Sequence, residues 1–391
     1  MKDEARAWRA VGAATAANSV AIGLARFAYA PLLPVLIAAG WFSPGDAAYL
    51  GAANLAGYMF GAAGGRHAAS RLGLRPVLRG MMIAVTLSLV GCAGPFPFAW
   101  FFICRLVSGV AGGALMVLGA PAALALIPPA RRGLAAGLIF TGVGAGIAFS
   151  GTLLPLLLRA GLTASWLALA AIAAALTILV WRAWPAALPP IPQGAVAPPS
   201  PRLRAFTLSY GLCAFGLVPH MVFLVDFAVR GLGQSIAAGA GEWVLFGLGA
   251  CCGPVLAGLL ADRLGFAAVF RLLMAMDALF VLALAVAPGV WLLGASALLV
   301  GSTVSAISAV AIGLVHELAG TDPRARVAGW SRATLAWAAG QAVAAYGFAF
   351  IYARTGQYGL LFGPAAAAIM LALAVDAAAA LRAPRPVGSA P

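Results

Sequence analysis

Arg26 is the residue in this chain with the most chemistry to explain. It lies within about two residues, or roughly 3 Å along a helix axis, of the centre of an apolar stretch running from about residue 10 to 39. A guanidinium stays charged at any working pH, and its planar fork of donors matches a carboxylate or a phosphate. At that depth in an apolar stretch it is costly unless water or a partner reaches it, so it marks a ligand site by default. Asn18, Ile22, Arg26 and Tyr29 recur at helical spacing and are expected on one face. Pro31 and Pro34 lack N–H groups, which leaves carbonyls near Phe27 and Ala30 short of donors and makes that end of the helix easier to bend. The competing account of Arg26 is a structural arginine held by an acid or a carbonyl.

A second polar group is Pro219, His220, Asp226 and Arg230. Asp226 and Arg230, four apart, fit an ion pair on one helix face. An unperturbed imidazole titrates near pH 6.5, which makes His220 a proton carrier by type, although six residues from Asp226 it points elsewhere on a regular helix. A satisfied structural histidine and a plain salt bridge compete with those roles. Asn54 with Tyr58, and Trp337 with Gln341, each share a face at spacing four, and Glu242 and Trp243 are further polar or aromatic candidates. Packing or interfacial anchoring is the other account of such aromatics. Asp277 is a possible titrating group, and Asp376 is expected to reach water or pair with Arg382.

No catalytic constellation accompanies these residues. His67, His220 and His316 lie far apart, and no nucleophile or metal motif joins them. The five cysteines sit in or beside apolar segments without a C-x-x-C spacing and read as packing residues. Lys2 is the only lysine, so a Walker-type nucleotide loop is excluded. No catalytic residue, cofactor or metal site is expected.

Composition dictates what positions the polar groups. The chain has 391 residues, 63% hydrophobic and 9% charged, with a mean hydropathy of +1.02. That is too little polar surface to clothe a water-soluble globule, so the bilayer is its solvent. Stretches such as Val107 to Leu126 and Ala164 to Trp181 reach the roughly 20 residues a helix needs to cross the hydrocarbon. Six spans are predicted near residues 10–39, 47–67, 77–94, 99–127, 133–158 and 164–183, and six more near 205–229, 238–260, 268–287, 291–318, 328–352 and 359–381. Arg26 interrupts the first and two prolines follow, so it reads as a retained helix and not a cleaved signal.

In a soluble protein the net charge of +14 would suggest nucleic acid, but here the basic residues gather in loops on the side of both termini. Arg66, Arg71, Arg75, Arg79, Arg131, Arg263 and Arg326 are among them, and only Arg159, Arg230 and Arg354 fall opposite. The positive-inside rule then predicts cytoplasmic termini, and no nucleic-acid partner is expected. The polar stretch Pro185 to Arg204, with seven prolines between 185 and 201, is expected to be an extended cytoplasmic linker over 185–203 that separates bundles at 1–184 and 204–391. Those halves are alike: Ala69-Ser-Arg-Leu-Gly73 matches Ala261-Asp-Arg-Leu-Gly265 at an offset of 192 residues, and Gly23-Leu24 matches Gly216-Leu217 at nearly the same offset. Such symmetry is expected where two bundles rock about a midplane site.

At these residues the chain resembles the major facilitator superfamily over essentially its whole length. Gly258-Leu-Leu-Ala-Asp262-Arg263-Leu-Gly265 fits that family's G-x-x-x-D-R-x-G signature after the eighth span. The counterpart from Arg66 to Gly73 departs from it, with Arg66 in place of the first glycine and Ser70 where aspartate is usual. The resemblance implies that Asp262 and Arg263, with Arg71 in the other half, gate the terminal side through contacts made in one conformation only. An ordinary solvated pair worth at most about 1 kcal/mol is the competing account. Arg105 with Gly109 and Gly113 resembles the fourth-span pattern R-x-x-x-G-x-x-x-G, where small residues let helices approach and the arginine needs a partner or water. Gating and structural organisation both fit Arg105. The fifth span, Gly137 to Pro155, lacks the adjacent Gly-Pro of the antiporter motif, so exchange is not indicated. The opening run from Gly23 through Arg26, Tyr29 and Pro31 to Pro34, with Gly340-Gln341 late in the chain, is most similar to the YbfB-type branch.

The expectation is therefore an all-α membrane protein of about 12 transmembrane helices in two pseudo-symmetric six-helix bundles, the major facilitator fold. It implies a monomeric, multi-pass secondary transporter of the bacterial cytoplasmic (inner) membrane that moves a small organic anion by alternating access, with protons as coupling ion. Arg26, Tyr29, Asn18, Asn54, Tyr58, Trp337 and Gln341 are the expected substrate contacts, His220 and Asp226 the proton-coupling groups, and Asp262, Arg263, Arg71 and Arg105 the gating residues. The alternative is efflux of amphipathic or drug-like compounds, with a loose aromatic site and an acid that binds a cation. A membrane enzyme lacks convergent catalytic groups, and a channel does not need two like halves.

Overall fold

The computed structural model describes residues 2–128, 131–185 and 198–382, and these are helical with short connections. Of the predicted linker at 185–203, residues 186–197 lie outside the described residues. The first half contains α1 (Lys2–Asn18), a π-helical segment (Ser19–Phe27), α2 (Tyr29–Ala38), α3 (Pro44–Leu72), α4 (Leu74–Gly91), α5 (Phe98–Leu124), α6 (Arg132–Leu157) and α7 (Leu162–Val180). The second contains α8 (Pro201–Val222), α9 (Leu224–Asp226), a second π segment (Phe227–Gly231), α10 (Ile236–Leu264), α11 (Phe266–Val286), α12 (Val290–Leu318), α13 (Pro323–Thr355) and α14 (Gly359–Leu381). Several start where a hydroxyl satisfies an orphan N–H: Ser43 accepts from Asp46, Ser200 from Leu203 and Ser235 from Ala238. Pro44 and Pro201 occupy first turns, where a missing donor is harmless.

Among the described residues, 11 helices are long and apolar enough to cross a membrane, with Glu4–Ala38 counted as one. The remaining long helix is α3, whose 29 residues span about 43 Å but carry Asn54, Tyr58, Arg66 and His67. It packs on α5 and on α13, so Asn54 and Tyr58 are buried in protein. With α3 the count reaches the twelve expected.

The repeat seen in the sequence recurs in the backbone. Helices α3 and α10 are both 29 residues long and stop at Gly73 and Gly265, with φ of 88° and 81°. Each of these glycines donates its N–H to the carbonyl four residues back, Ala69 and Ala261, in a conformation that costs other residues strain. The first helix of each half is also broken alike. The Ala28 N–H bonds the Gly23 carbonyl, and the Leu232 N–H bonds the Phe227 carbonyl, both five residues back, as a π turn requires.

That π segment corrects one expectation. A regular helix would align Asn18, Ile22, Arg26 and Tyr29, but the wider turn rotates them apart. Asn18 Nδ2 donates to the Ile139 carbonyl of α6 at 3.0 Å, and the Tyr29 hydroxyl to the Ala47 carbonyl of α3 at 2.7 Å, while Ile22 and Arg26 face an interior cavity. Because α2 restarts at Tyr29, Pro31 falls in a first turn, where no N–H is needed.

Within the first half α3 and α4 pack on α5, α4 on α7 and α1 on α6; within the second α10 packs on α12, and α8 on α13 and α14. The halves meet along α3–α13 and α6–α10. These contacts lie toward the side remote from the termini, the distal side. There Gly45 abuts Ala353, Tyr49 approaches Tyr346 and Gly151 abuts Val244. The cavity between the halves is thus closed distally, and its walls continue toward the terminal side through Met116, Ser308 and Trp330.

Candidate functional site

The cavity is narrow, with a volume of about 70 Å³. From the first half the π segment supplies Ile22, Arg26 and Phe27, α3 supplies Tyr58, and α5 and α6 supply Met116, Phe140 and Val143. From the second half α8 supplies Tyr210 and Met221, α12 supplies Val304, Ser305 and Ser308, and α13 supplies Trp330, Thr334, Trp337 and Gln341. Among the described residues, Arg26 is the only charged one in this lining.

Its geometry fits a held but unsatisfied cation. One terminal nitrogen of Arg26 donates to Gln341 Oε1 at 2.8 Å, a bond that crosses from one half to the other. The guanidinium carbon lies 5.1 Å from the Tyr58 ring centroid and 5.3 Å from that of Phe27, within cation–π range. No carboxylate lies within ion-pair distance of it among the described residues. Gln341 is oriented in turn by its Nε2, which contacts the Met221 sulfur at 3.4 Å. Tyr210 and Trp337 stand with ring centroids 4.5 Å apart, and the Tyr210 hydroxyl donates to Ser308 at 2.9 Å. The result is an aromatic-walled site with hydroxyls and one under-used guanidinium, suited to an anionic group on an apolar body.

Arg105 does different work from Arg26. It is 2% exposed, donates to the carbonyls of Ala25 and Leu50, and lies 4.2 Å over the Tyr29 ring. It thereby satisfies backbone where the π turn disrupts the ladder, and ties the first span to α3 and α5. Asn54 donates to the Arg105 carbonyl and to Ser108 Oγ, outside the cavity lining. Of the seven expected substrate contacts, the structure gathers Arg26, Tyr58, Trp337 and Gln341 around one space and sets Asn18, Tyr29 and Asn54 behind it.

His220 is fully buried with Nε2 at 2.7 Å from Ser296 Oγ and its ring edge on Phe362, within the second half and away from the cavity. Asp226 occupies a cage near the distal side: the hydroxyls of Tyr352 and Tyr358 each donate to its Oδ2 at 2.6 Å, and Arg230 stands 3.6 Å from Oδ1. The caging residues Arg230, Tyr352 and Tyr358 also line a distal pocket that Ser43 and Asp46 of α3 close from the other half. Asp277 is buried against Thr303 Oγ1 at 2.5 Å, one residue from cavity-lining Val304. Trp243 stacks on Phe246 at 4.9 Å behind Phe27, with Glu242 beside it.

Asp376 departs from expectation. It pairs with Arg202 of α8 at 2.8 Å and Arg271 of α11 at 2.9 Å, and not with Arg382, because its side chain points into the bundle, where those two helices begin. Asp262, Arg263 and Arg71 are exposed and make no ion pair among the described residues. Several lining residues escaped the sequence reading. Trp330, Thr334, Trp337 and Gln341 recur at four-, three- and four-residue steps along α13, and Tyr210 and Met221 stand three turns apart on α8, so helical spacing was the signal that would have found them.

A helical membrane protein in two like halves, with a cavity at their boundary closed on one side, is a transporter of the major facilitator class, not an enzyme. The chain belongs to the family described as "Uncharacterised MFS-type transporter YbfB", whose profile matches residues 18–377. No curated protein matches the sequence. Among solved structures, the crystal structure of a D-xylose-proton symporter is similar with a TM-score of 0.72 and 15% identity, over 94% of this chain and 96% of that one. It shares the fold. The protein is thus a multi-pass MFS-type secondary transporter with a small-molecule substrate.

Proposed function

We propose that the transported solute is a small organic anion with an apolar or aromatic body, held by Arg26 in the cavity between the halves. The observation that carries this is the guanidinium itself: among the described residues it is the sole charge in the lining, bonded to one neutral side chain and without a carboxylate partner. An incoming carboxylate supplies the missing charge and accepts from the free side of the fork. Gln341 makes the same guanidinium sense the second half, so ligand occupancy biases the two conformations differently. The basic loops support cytoplasmic termini in a bacterial inner membrane, and the described conformation is then open to the cytoplasm. In that conformation a terminal-side latch of Asp262, Arg263 and Arg71 is released, in keeping with their exposure. Protons are the proposed coupling ion and Asp226 the group that carries them, because the distal pocket reaches within one tyrosine hydroxyl of it. The transporter works as a monomer.

A thermal-shift screen of purified protein tests the substrate class. A ligand at a hundred times its Kd stabilises the folded state by about 2.7 kcal/mol. Aromatic and branched carboxylates are expected to raise the melting temperature, their amides to leave it unchanged, and Arg26→Gln to abolish the response. Stabilisation by cationic amphiphiles and not by carboxylates would instead favour drug efflux.

A further inference from the structure

The terminal ends of α1, α4 and α7 enclose a second charged pocket, remote from the transport cavity. It has a volume of about 380 Å³ and is lined by Arg6, Arg9, Arg75, Arg182 and Trp184. None of these arginines lies within 4 Å of a carboxylate among the described residues. Arg75 is anchored by its Nε to the Trp184 carbonyl at 3.0 Å, and neighbouring Arg79 by its Nε to the Trp181 carbonyl at 2.8 Å. These bonds cap the end of α7 and leave the terminal guanidinium nitrogens of both residues available. Trp184 is 2% exposed, sits against Gly119, and has an indole N–H with no acceptor among the described residues. Four guanidinium groups line this one pocket with no carboxylate partner among the described residues, and an anion seated there supplies the counter-charge that relieves their mutual repulsion.

Two apolar grooves run from this pocket along the membrane-facing surface. One, of about 630 Å³, lies between α4 and α7 and includes Leu87, Ile178 and Leu179. The other, of about 770 Å³, lies between α7 and the α1–α6 pair and includes Val11 and Leu138. Arg182 borders the pocket and both grooves. Ile178 and Leu179 are 75% and 78% exposed, so the grooves face lipid and not protein. Trp8 and Trp181 flank the basic cluster at the level where amphipathic rings meet headgroups.

We propose that this is a binding site for an anionic phospholipid of the terminal-side leaflet, with its phosphate among Arg6, Arg9, Arg75 and Arg182 and its acyl chains in the grooves beside α7. Charge selects the headgroup, and the grooves select a lipid over a soluble anion. A lipid seated there joins α1, which leads into the Arg26 segment, to the α4–α7 pair.

Native mass spectrometry of the full chain in mild detergent, with equal phosphatidylglycerol and phosphatidylethanolamine, tests it. Wild type is expected to retain phosphatidylglycerol preferentially. The triple variant R6Q/R9Q/R182Q, made at exposed positions, is expected to lose that adduct by at least tenfold, since each arginine contributes on the order of 1 kcal/mol to an anionic headgroup. R324Q/R382Q, exposed or partly exposed in the second half, is the matched control and keeps it. Equal retention of the two lipids by wild type overturns the proposal without recourse to any variant. So does an unchanged adduct in the triple variant, or displacement of phosphatidylglycerol by millimolar inorganic phosphate, which would make the pocket a soluble-anion site.

Discussion

Replacing Gly109 by alanine tests how the helices that carry the cavity are held together. A methyl at that position would stand 2.0 Å from the Asn54 carbonyl oxygen of α3, and one at Gly113 would stand 2.1 Å from the Tyr58 carbonyl. The seam is reciprocal: a methyl at Gly57 would meet the Leu106 carbonyl at 2.1 Å, and one at Gly61 the Val110 carbonyl at 1.9 Å. An ordinary carbon–oxygen contact is about 3.3–3.6 Å, so each methyl forces the backbones roughly 1.3 Å apart. Overpacking of this kind costs about 1–3 kcal/mol, and the obstacle here is backbone, which has no rotamer to yield. The displaced segment carries Tyr58, whose ring lies 5.1 Å from the Arg26 guanidinium, so ligand affinity is expected to fall about tenfold or more as well. Thermal unfolding in detergent micelles and ligand titration measure the two effects. Gly64→Ala in α3 and Gly137→Ala in α6 have nothing within 4 Å of the new methyl and are expected to change stability by less than about 0.5 kcal/mol. If Gly109→Ala melts together with Gly64→Ala, the close-approach argument is wrong.

Other outcomes follow from named contacts. Asp376→Asn leaves Arg202 and Arg271 facing a neutral amide and is expected to lower stability by about 2 kcal/mol, with part recovered in Asp376→Asn/Arg271→Gln, as thermal unfolding reads directly. Arg105→Gln removes donors from the Ala25 and Leu50 carbonyls, so transport is expected to collapse although no cavity side chain changes; Arg105→Lys, with a single ammonium, is expected not to rescue it. Asp226→Asn is expected to abolish accumulation driven by a pH gradient while sparing solute counterflow, measured in proteoliposomes, because exchange needs no proton turnover. Loss of both together would assign the Tyr352–Tyr358 cage a structural role only.

The fold was legible because bilayer physics is local. Apolar length located α14 at both ends (359–381) and α5 to within a few residues, and the matched Gly73 and Gly265 announced the pseudo-symmetry that the two 29-residue helices display. Arg26 was legible because charge at mid-span is rare enough to demand a reason. What the sequence hid was register and long-range pairing. The π turn of Ser19–Phe27 uses residues that would equally well form an α-helix, and the contacts it makes with α6 and with Arg105 are between segments far apart in the chain. Asp376 lies 174 residues from Arg202 and 105 from Arg271, and the cage around Asp226 draws on tyrosines over 120 residues away. Such partners are set by bundle geometry, which spacing along one helix does not encode. The face of Trp330, Thr334, Trp337 and Gln341 is the opposite case, present in the spacing, although aromatics at such spacing equally suit packing.

The proposed meeting of the Arg26 guanidinium with the solute is tested most directly by counterflow of a labelled carboxylate into proteoliposomes. Replacing one member of a buried charge pair costs about 3 kcal/mol, or a hundredfold in affinity. Arg26→Gln is therefore expected to lower carboxylate counterflow at least a hundredfold at sub-saturating solute, with folding and melting temperature of the empty protein retained. Counterflow at the wild-type rate in Arg26→Gln would show that the anion is held elsewhere and contradict the assignment.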